Sequence, residues 1–405
     1  MKILHILAQS YPYLSGYSVR SHYILLTEQR SGEDVVAITY PDRFLSYNSE
    51  DTIEGITYYH VNIRDFILSA LPIIKTIYSM QHFINKSKEI LKTAKPDIIH
   101  SHSPWRVGLA GYFLSKVYGL PFIYEVRGLW EETDLALNKD RGMIKDYYSR
   151  LNAYISRSID NFIFKRADAI IAISHNLKKD IINRGLKIDD EKIFIVPNGV
   201  DTSLFSPIEK DIEILNDLQI KNEVVIGYIS SIRKIEGIEF LIKAVKILNQ
   251  KNIKVVIVGE GGERKKLELL VKRLNLEDRV IFVGKIPHER IRQYYSIIDI
   301  FVVPRTKDYV CRVVTPLKPL EAMAMGRCLL ISDVEGLTEL VNDEETGLIF
   351  ESENIEDLAD KLAYLISNKD KREELAKNAL NWVKNERDWV KIVAEYSNIY
   401  KRIIS

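Results

Sequence analysis

The chain has 405 residues, too many for one hydrophobic core, and at roughly 150 residues per domain it predicts about two to three domains. It carries 57 Lys and Arg against 56 Asp and Glu, a formal net charge of +1. This balance argues against a basic nucleic-acid-binding surface and against an acidic tail. Two cysteines, Cys311 and Cys328, are too few for a disulfide scaffold or a four-cysteine zinc site, and they indicate a reducing compartment.

The first apolar run, residues 3–8, is short and interrupted by His5, which predicts a buried strand rather than a secretory signal peptide. No stretch of about 18 uncharged apolar residues occurs, so no transmembrane helix is predicted. Residues 66–83 come nearest, but they contain Pro72 and Lys75.

Short apolar runs alternate with helical periodicity along the chain, and this alternation predicts parallel sheets with helices on both faces. The predicted strands are 2–8, 35–39, 98–100, 122–125, 169–173, 193–196, 224–230, 254–258, 280–283, 300–303 and 328–331, with helical spacing over 238–249 and 263–274. Because the pattern occurs twice, we expect an α/β protein of two doubly wound Rossmann-like domains.

The polar segment after Phe205 marks the expected domain boundary. We expect a first domain over 1–204 and a second over 205–385. The amphipathic stretch at 386–405 either returns to the first domain or simply caps the second. Ligands of open parallel sheets bind beyond the carboxyl ends of the strands, so we expect the site in a cleft between the two domains.

The run Pro319-Leu320-Glu321-Ala322-Met323 follows a proline-bearing turn and predicts the start of a helix. A carboxylate there can accept hydrogen bonds from two ribose hydroxyls. Alternatively, Glu321 only offsets the helix dipole. Gly259 and Glu260 follow one predicted strand, and Gly284 and Ile286 follow another at the same edge of the sheet. Glycine lets the backbone approach a ligand closely, although such loops are also often mere tight turns.

Four segments in this order resemble the retaining glycosyltransferases of family 4, which have the GT-B fold. They are Asp97 to His102, Ile170 to Ser174, Pro197 to Asp201 and Leu320 to Ala324. The runs at 124–131 and 314–319 are most similar to a subgroup that assembles exopolysaccharides, some members of which are called exosortase-system-associated. The resemblance implies transfer of a sugar from a UDP- or GDP-sugar to a hydroxyl of a lipid-linked or polysaccharide acceptor, with retention and without a bound metal or other cofactor.

The chain departs from the family pattern at the donor side. The family has a first glutamate eight positions before Glu321, where this chain has Val313. The family's phosphate-binding arginine and lysine correspond to Ser231 and Glu236. Candidate replacements for the donor phosphates, each of which could instead be a solvated cation, are Arg233, Lys234, Arg305, Arg312 and Lys318.

In the first domain, Arg127 stands where many family members have a histidine. An arginine is no general base, but it can hold a phosphate. His102, Glu125 and Arg127 are the candidate catalytic residues, with Glu131 as a second carboxylate near the acceptor. His102 could equally be structural. Gly16 resembles the glycine that lets the first loop approach the donor, and Arg20 follows one helical turn later, although this is also an ordinary strand-to-helix connection.

Two segments bear on membrane contact. Residues 66–83 either lie in a bilayer interface or pack on the first sheet. The stretch before Ala167 is locally basic, which suits either anionic headgroups or a solvated helix face. Its cations are Lys139, Arg141, Lys145, Arg150, Arg157, Lys165 and Arg166. We therefore expect a cytoplasmic enzyme with no nucleic-acid partner, and these two segments leave peripheral contact with the inner face of the cell membrane as an open alternative.

Two other functions compete with glycosyl transfer. The missing first glutamate and the replaced histidine are also compatible with a catalytically degenerate sugar-nucleotide-binding subunit of a polysaccharide assembly complex. A sugar-nucleotide epimerase on the same fold would need acid and base residues that the sequence does not place.

Overall fold

The computed structural model describes residues 1–13, 15–41, 48–62, 72–138, 142–248, 250 and 252–404. The described chain divides into two compact units. Unit 1 comprises Met1–Pro197 together with Trp389–Ser405, and unit 2 comprises Asn198–Asp388. The division therefore falls seven residues before the expected boundary at 204, directly after the proline that ends the last strand segment of unit 1.

The strands are β1 (Lys2–Leu7), β2 (Asp34–Thr39), β3 (Glu50–Ile53), β4 (Ile56–His60), β5 (Ile98–His102), β6 (Phe122–Val126), β7 (Ala169–Ala172) and β8 (Ile193–Ile195) in unit 1, and β9 (Val224–Ile229), β10 (Ile253–Val258), β11 (Val280–Gly284), β12 (Ile300–Val303), β13 (Cys328–Ser332) and β14 (Leu348–Phe350) in unit 2. Every strand that the apolar runs predict is present. The sequence did not predict β3, β4 and β14.

The helices of unit 1 are α1 (Gly16–Arg30), α2 (Pro72–Ala94), α3 (Trp105–Tyr118), α4 (Trp130–Asn138), α5 (Met143–Phe164) and α6 (His175–Asn183), with α16 (Trp389–Ile404) added from the far end of the chain. Those of unit 2 are α7 (Ile212–Asp217), α8 (Ile238–Ile247), α9 (Arg264–Arg273), α10 (Ile291–Ile297), α11 (Tyr309–Val313), α12 (Lys318–Ala324), α13 (Glu335–Thr338), α14 (Ile355–Ser367) and α15 (Lys369–Glu386).

The sheet of unit 1 has the order β3-β4-β2-β1-β5-β6-β7-β8 and is parallel except for the β3–β4 hairpin. Strands β1, β5 and β6 are neighbours at its centre, and their pairing sets His5 opposite His100 and His102 opposite Glu125. Because side chains alternate along a strand, these four residues project from one face of the sheet. Strand register thus gathers three histidines and a carboxylate.

The sheet of unit 2 has the order β11-β10-β9-β12-β13-β14 and is entirely parallel. Its strands are buried runs of Val, Ile and Leu, as expected for a sheet covered on both faces. Helices α8 and α14 pack on one another over this core. The expected α/β class with two doubly wound domains is confirmed.

Helix α16 completes unit 1. The ring of Trp389 stacks on Tyr23 of α1 with centroids 6.1 Å apart, and Tyr396 and Tyr400 are fully buried. Unit 1 therefore takes its last helix from a segment that follows the whole of unit 2 in the chain.

Residues 66–71, the first part of the proposed interfacial segment, lie outside the described residues, as do Lys139 and Arg141. The rest of that segment forms the start of α2, where Phe83 is fully buried and Ile77 is exposed. None of the described helices is long and apolar enough to cross a bilayer.

Candidate functional site

The carboxyl ends of β1, β5 and β6 in unit 1 enclose a cluster of buried polar side chains. His5, His100, His102 and Glu125 have no exposed surface. Groups of this kind are costly to bury without partners, so each needs a hydrogen bond. The partners come from α1 and α16, which carry Arg20, Glu28, Tyr396 and Tyr400.

Glu125 binds two arginines and a tyrosine. Its Oε1 accepts from Arg20 Nε at 3.1 Å and Arg127 Nε at 2.7 Å, and its Oε2 accepts from the Tyr396 hydroxyl at 2.7 Å. Burial alone would raise the pKa of Glu125, but the guanidinium groups of Arg127 and Arg20 hold the pKa well below its usual range. A carboxylate so buried and paired is a fixed partner for Arg20 and Arg127, and the catalytic role of Glu125 stays a prediction.

Arg127 is held on all sides. Besides Glu125, it donates from Nη1 to the Tyr17 carbonyl at 3.3 Å and to Ser21 Oγ at 2.5 Å, and from Nη2 to His102 Nδ1 at 2.6 Å. These contacts use four of its five N–H donors. The guanidinium also lies over the Tyr17 ring, 4.7 Å from the centroid. Arg127 is thus a fixed cation with little capacity left for a phosphate.

The donation from Arg127 fixes the protons of the histidines. An arginine cannot accept, so His102 Nδ1 must accept, and the proton of the neutral ring lies on Nε2. That proton points to His5 Nδ1 at 3.0 Å, and His5 Nε2 lies 2.8 Å from Glu28 Oε2 in a close polar contact that lacks hydrogen-bond geometry. One ordered chain of hydrogen bonds therefore runs from Arg127 through His102 to His5, whose ring lies against the Glu28 carboxylate.

A second branch enters Glu28 from α16. The Tyr400 hydroxyl donates to Glu28 Oε1 at 2.8 Å and accepts from His100 Nδ1 at 2.7 Å. Burial lowers the pKa of His100 to about 4. Burial, reinforced by Arg127, also lowers the pKa of His102 well below its usual value. Both rings are therefore neutral at pH 7.

Nitrogen atoms of His5, His100 and His102 lie within 4.8 Å of one another, close enough to hold a metal ion. The proton order opposes this. A metal on His102 Nε2 would require a proton on Nδ1, where Arg127 already donates, or an imidazolate. The chemistry of this cluster favours an ordered hydrogen-bond chain rather than a metal centre.

Three other predicted residues lie on helices of unit 1. Gly16 is the exposed first residue of α1, and Ser15 and Ser18 on either side of it form the capping box of that helix. Arg20 is buried and also donates to the carbonyl groups of Val196 and Pro197, which ties α1 to the end of β8. Glu131 is buried in α4, and its burial raises its pKa.

In unit 2, the predicted ribose carboxylate lies in the first turn of α12. Glu321 is only 5% exposed. Its Oε2 accepts from the Tyr295 hydroxyl at 3.0 Å, and Lys318 Nζ approaches its two oxygens at 3.1 and 2.9 Å. The structure thus brings Lys318 and Glu321 together. Pro319 and Leu320 are buried, so they can offer a ligand only their backbone.

Glu236 stands where the family pattern has a lysine, and it organises the neighbouring arginines. Its carboxylate accepts from Arg233 Nη2 at 2.9 Å and from Arg305 Nε at 3.2 Å. Burial opposes its ionisation, but Arg305 and Arg233 keep the pKa of Glu236 below its ordinary value. Arg305 also donates to the Val314 carbonyl at 3.0 Å. Two predicted phosphate-binding cations are therefore fixed around one buried carboxylate.

The remaining predicted donor residues are not gathered around Glu236. Arg312 is half exposed on α11 and forms a two-nitrogen pair with Glu335. Ser231 and Lys234 are exposed on the loop after β9. Val313, at the position of the missing glutamate, is buried at 5% exposure.

Glycines after the strands of unit 2 serve close backbone packing. A Cβ on Gly259, which has φ +137°, would lie 1.9 Å from the Ser230 carbonyl oxygen. A Cβ on Gly237 would lie 1.8 Å from the Pro304 carbonyl oxygen. Gly284 has φ +90°, Glu260 pairs with Arg264, and Ile286 is partly buried. These contacts support the tight-turn alternative for Gly259.

The division between the units falls within the Pro-Asn-Gly run, and Asn198 is the first residue of unit 2. Asn198 is buried, and its side-chain amide donates to the Thr315 carbonyl at 2.8 Å and to Thr315 Oγ1 at 3.1 Å. It therefore fixes the loop that leads into α12 and Glu321.

Two family descriptions match the chain in succession. Residues 22–204 match "Glycosyltransferase Family 4", and residues 210–382 match "Glycosyl transferases group 1". The chain is a glycosyltransferase of family 4. The exopolysaccharide-associated subgroup is a finer assignment that these matches do not address.

Relatives of this glycosyltransferase occur in archaea and bacteria. It is 25% identical over 379 residues to an uncharacterized glycosyltransferase of Methanocaldococcus jannaschii, covering 92% of this chain and 90% of the relative. It is 26% identical over 340 residues to the Escherichia coli UDP-Gal:alpha-D-GlcNAc-diphosphoundecaprenol alpha-1,3-galactosyltransferase, covering 81% and 80% of the two chains.

Solved structures show the GT-B fold for this glycosyltransferase. Sucrose-phosphate synthase of Thermosynechococcus elongatus matches with a TM-score of 0.80 at 22% identity, over 99% of this chain and 98% of the other. Anabaena HepE in complex with UDP-glucose matches with a TM-score of 0.74 at 19% identity, over 99% and 100% of the chains.

The sequence did not identify Glu28, Tyr295 or the role of Glu236. Glu28 lies inside an ordinary helical pattern, and its tyrosine partner follows 372 residues later. The one available signal was His5, a polar residue inside an otherwise apolar strand, because a buried histidine requires a partner.

Proposed function

We propose that this chain is a retaining glycosyltransferase. It moves a sugar from a UDP- or GDP-sugar to a hydroxyl of a lipid-linked or polysaccharide acceptor during synthesis of a cell-surface glycan. The reaction needs no bound metal, and it takes place in the cytoplasm at the inner face of the cell membrane. Unit 2 binds the nucleotide, and unit 1 binds the acceptor.

The arrangement of Glu321 carries this proposal. Tyr295 and Lys318 hold its carboxylate in a fixed orientation, at 5% exposure, beyond the strands of a parallel sheet. Ligands of such sheets bind at the carboxyl ends of the strands. An ionised carboxylate accepts several hydrogen bonds, so it can take both ribose hydroxyls while Tyr295 remains bound.

The donor diphosphate needs positive charge as it leaves, since stabilising developing charge is usually the largest catalytic contribution. Arg305 and Arg233 are held beside one another by Glu236. Lys318 lies three residues before Glu321 on the same helical turn. We assign the phosphates to these three cations, with Arg305 fixed in place by burial and Lys318 free to move from Glu321 to a phosphate oxygen.

In unit 1, the hydrogen bonds of His5 and His102 position Arg127, which at 8% exposure is the least buried residue of the cluster and is assigned to the acceptor. Arg127 and His102 are held by fixed donors and acceptors, so neither has to reorganise during the reaction. The acceptor hydroxyl attacks on the face that the diphosphate leaves, and a departing phosphate oxygen takes its proton. The configuration of the sugar is thereby retained.

Names of relatives support the substrate class. The Escherichia coli relative is named for transfer to a diphosphoundecaprenol-linked sugar, and Anabaena HepE was solved with UDP-glucose. A lipid-linked acceptor and a uridine nucleotide are therefore the first substrates to test.

A turnover assay tests the function. Purified full-length protein is incubated with UDP-glucose, UDP-galactose or GDP-mannose and an undecaprenyl-diphosphate-linked sugar, and products are separated by mass spectrometry. We expect one donor to be consumed with formation of an α-linked product in the presence of a chelator. Binding of a nucleoside diphosphate without transfer to any such acceptor would contradict the enzyme assignment.

That outcome would favour the second candidate, a sugar-nucleotide-binding subunit of a polysaccharide assembly complex. The specific observations for it are Val313 and Glu236, which replace a carboxylate and a lysine of the family pattern. Restoring the carboxylate as Val313→Glu separates the two. If the wild-type chain is a degenerate subunit, only the restored variant should hydrolyse the donor.

A further inference from the structure

Helix α5 of unit 1 exposes a continuous apolar and aromatic face. We name this face the α5 stripe. Its members recur at intervals of three and four residues on one side of the helix and are exposed as follows: Met143 90%, Ile144 75%, Tyr147 65%, Tyr148 65%, Leu151 43%, Tyr154 72% and Ile155 45%. A helix with one apolar side normally buries that side against the core.

Here α5 is buried through its other side. Ser149, Ala153, Ser156 and Asp160 are buried, and the helix packs against α3 and α4. The Trp105 indole donates to Ser156 Oγ at 3.1 Å, which fixes the small-residue side inwards. The apolar stripe is therefore outside, and it is too large and too contiguous to be scattered surface hydrophobicity.

The charges around the stripe are mostly positive. Arg150 and Arg157 lie along one edge and Lys145 along the other, while Lys165 and Arg166 follow the helix. The helix contains two carboxylates. Asp146 is paired with Arg150 at 2.8 Å, and Asp160 is buried against the Tyr124 hydroxyl at 2.7 Å. No unpaired carboxylate of α5 therefore borders the stripe.

We propose that the α5 stripe docks on an anionic lipid bilayer. Three tyrosine rings match the interfacial region, where an apolar ring and a polar hydroxyl are both accommodated, and the flanking cations meet anionic headgroups. The biological role of this docking rests on the proposed function, because docking would bring unit 1 to a lipid-linked acceptor. Its physical basis in exposure and charge is independent of sugar transfer.

A second copy of the chain is the competing occupant. Two α5 helices packed face to face would set Arg150, Arg157 and Lys145 against the same cations of the other copy. Asp146 already pairs with Arg150, and Asp180 of α6 lies 3.8 Å from Arg157, so neither carboxylate is available to the cations of the other copy. Like charges around an interface oppose association, whereas an anionic surface satisfies them all at once.

Flotation of the full chain with vesicles tests the proposal. The vesicles are phosphatidylcholine alone or an equal mixture with phosphatidylglycerol. We expect binding to the anionic vesicles, weakened by salt, and little binding to neutral ones. The variant Tyr147→Gln/Tyr148→Gln/Tyr154→Gln should partition roughly tenfold less, since glutamine keeps the helix propensity but removes the aromatic surface.

A matched control is Ile212→Gln/Leu269→Gln/Tyr364→Gln, which changes three exposed side chains on helices of unit 2. It should bind vesicles like the wild type. A second test variant, Lys145→Gln/Arg150→Gln, should lose binding to anionic vesicles while keeping its unfolding midpoint, because exposed ion pairs contribute little stability.

Equal flotation of the tyrosine variant and the wild type would overturn the proposal, as would a wild type that does not float. A wild-type dimer that the tyrosine variant converts to a monomer in sedimentation velocity would assign the stripe to a second copy instead. Donor consumption with a short-chain, water-soluble acceptor is measured in parallel. If the wild type floats with anionic vesicles but consumes no donor, the proposed function is contradicted and the docking surface is not.

Discussion

Glu321 concentrates the proposed donor site in one side chain. Replacement by alanine removes the acceptor of the ribose hydroxyls and leaves the Tyr295 hydroxyl and Lys318 without their partner. Hydrogen bonds to a charged group contribute about 1.5–3 kcal/mol each. We therefore expect Glu321→Ala to weaken nucleoside diphosphate binding by roughly tenfold or more, measured by calorimetric titration of UDP, GDP and ADP.

The control is Glu373→Ala, which removes an exposed carboxylate of α15 paired only with Lys369. It should leave the affinity unchanged. An unaltered affinity in Glu321→Ala would remove the ribose assignment, even if the variant transfers sugar poorly.

The buried histidines make stability depend on pH. The pKa of His100 is about 4 in the folded chain, against about 6.5 when unfolded. The unfolded state thus binds more protons between these values, and the free energy of unfolding falls as pH falls from about 6.5 toward 4. One such group contributes a slope of up to about 1.4 kcal/mol per pH unit.

Urea unfolding at pH 7, 6 and 5 measures this slope, and His100→Gln should reduce it. His175→Gln, which changes an exposed histidine, should leave the slope as in the wild type. A slope that is the same in His100→Gln and the wild type would contradict the assignment of a neutral, buried His100.

The proximity of Lys318 and Glu321 was predictable because both belong to one family motif with close sequence spacing, while their role at the donor stays a prediction. Lys318 and Glu321 lie three residues apart, and both were identified. Partners such as Glu28 and Tyr400 were not, because their contact depends on strand and helix placement across 372 residues. The same limit hid the role of Glu236, whose partner Arg305 lies 69 residues away.

At the scale of elements, the apolar runs predicted the central strands because these are buried on both faces. The hairpin of β3 and β4 was missed. Its short turn places Glu54 and Gly55 at φ 50° and 82°, and glutamate is an unusual residue for a left-handed position. Strand β14 has only three residues and offers too short a pattern to detect.

Helix α16 is held in unit 1 by two tyrosine hydroxyls. Tyr400→Phe removes the donor to Glu28 and the acceptor for His100, and it leaves both buried groups short of a partner. The expected cost is about 1–3 kcal/mol in the free energy of unfolding of unit 1. Urea unfolding followed by tryptophan fluorescence in a Trp382→Phe background reports unit 1 selectively, because Trp105, Trp130 and Trp389 all lie there.

Tyr364→Phe, at an exposed position of α14 in unit 2, provides the comparison and should unfold like the background chain. An unchanged midpoint in Tyr400→Phe would mean that Glu28 finds another donor, and the two-branched hydrogen-bond chain would then be wrong.

At the scale of the whole molecule, the two units have separate sheets, and the donor is assigned to one of them. A ligand that binds only the folded state stabilises it by about 2.7 kcal/mol at a hundredfold excess over its Kd. We expect saturating UDP or GDP to slow hydrogen exchange chiefly within residues 198–388, and most strongly around α12. Mass spectrometry of peptides measures this.

Peptides that cover β5 and β6 serve as the internal reference in that experiment. Protection that rises there as much as around α12 would contradict the assignment of the nucleotide to unit 2.

The near-zero net charge of the chain is also an average at this scale. Cations lie on the α5 helix and around Glu236, and the carboxylates of Asp146 and Glu236 offset part of their charge at the same places.

The placement of α16 has a consequence for how the chain folds as it is made. During synthesis, residues 1–197 emerge first, but Trp389, Tyr396 and Tyr400 emerge only after all of unit 2. Until then Glu28 lacks the Tyr400 hydroxyl, and Glu125 and Arg20 lack the Tyr396 hydroxyl. Unit 2 is one continuous segment, so all of its residues are made before α16, and unit 1 cannot be completed until the whole of unit 2 has been synthesised.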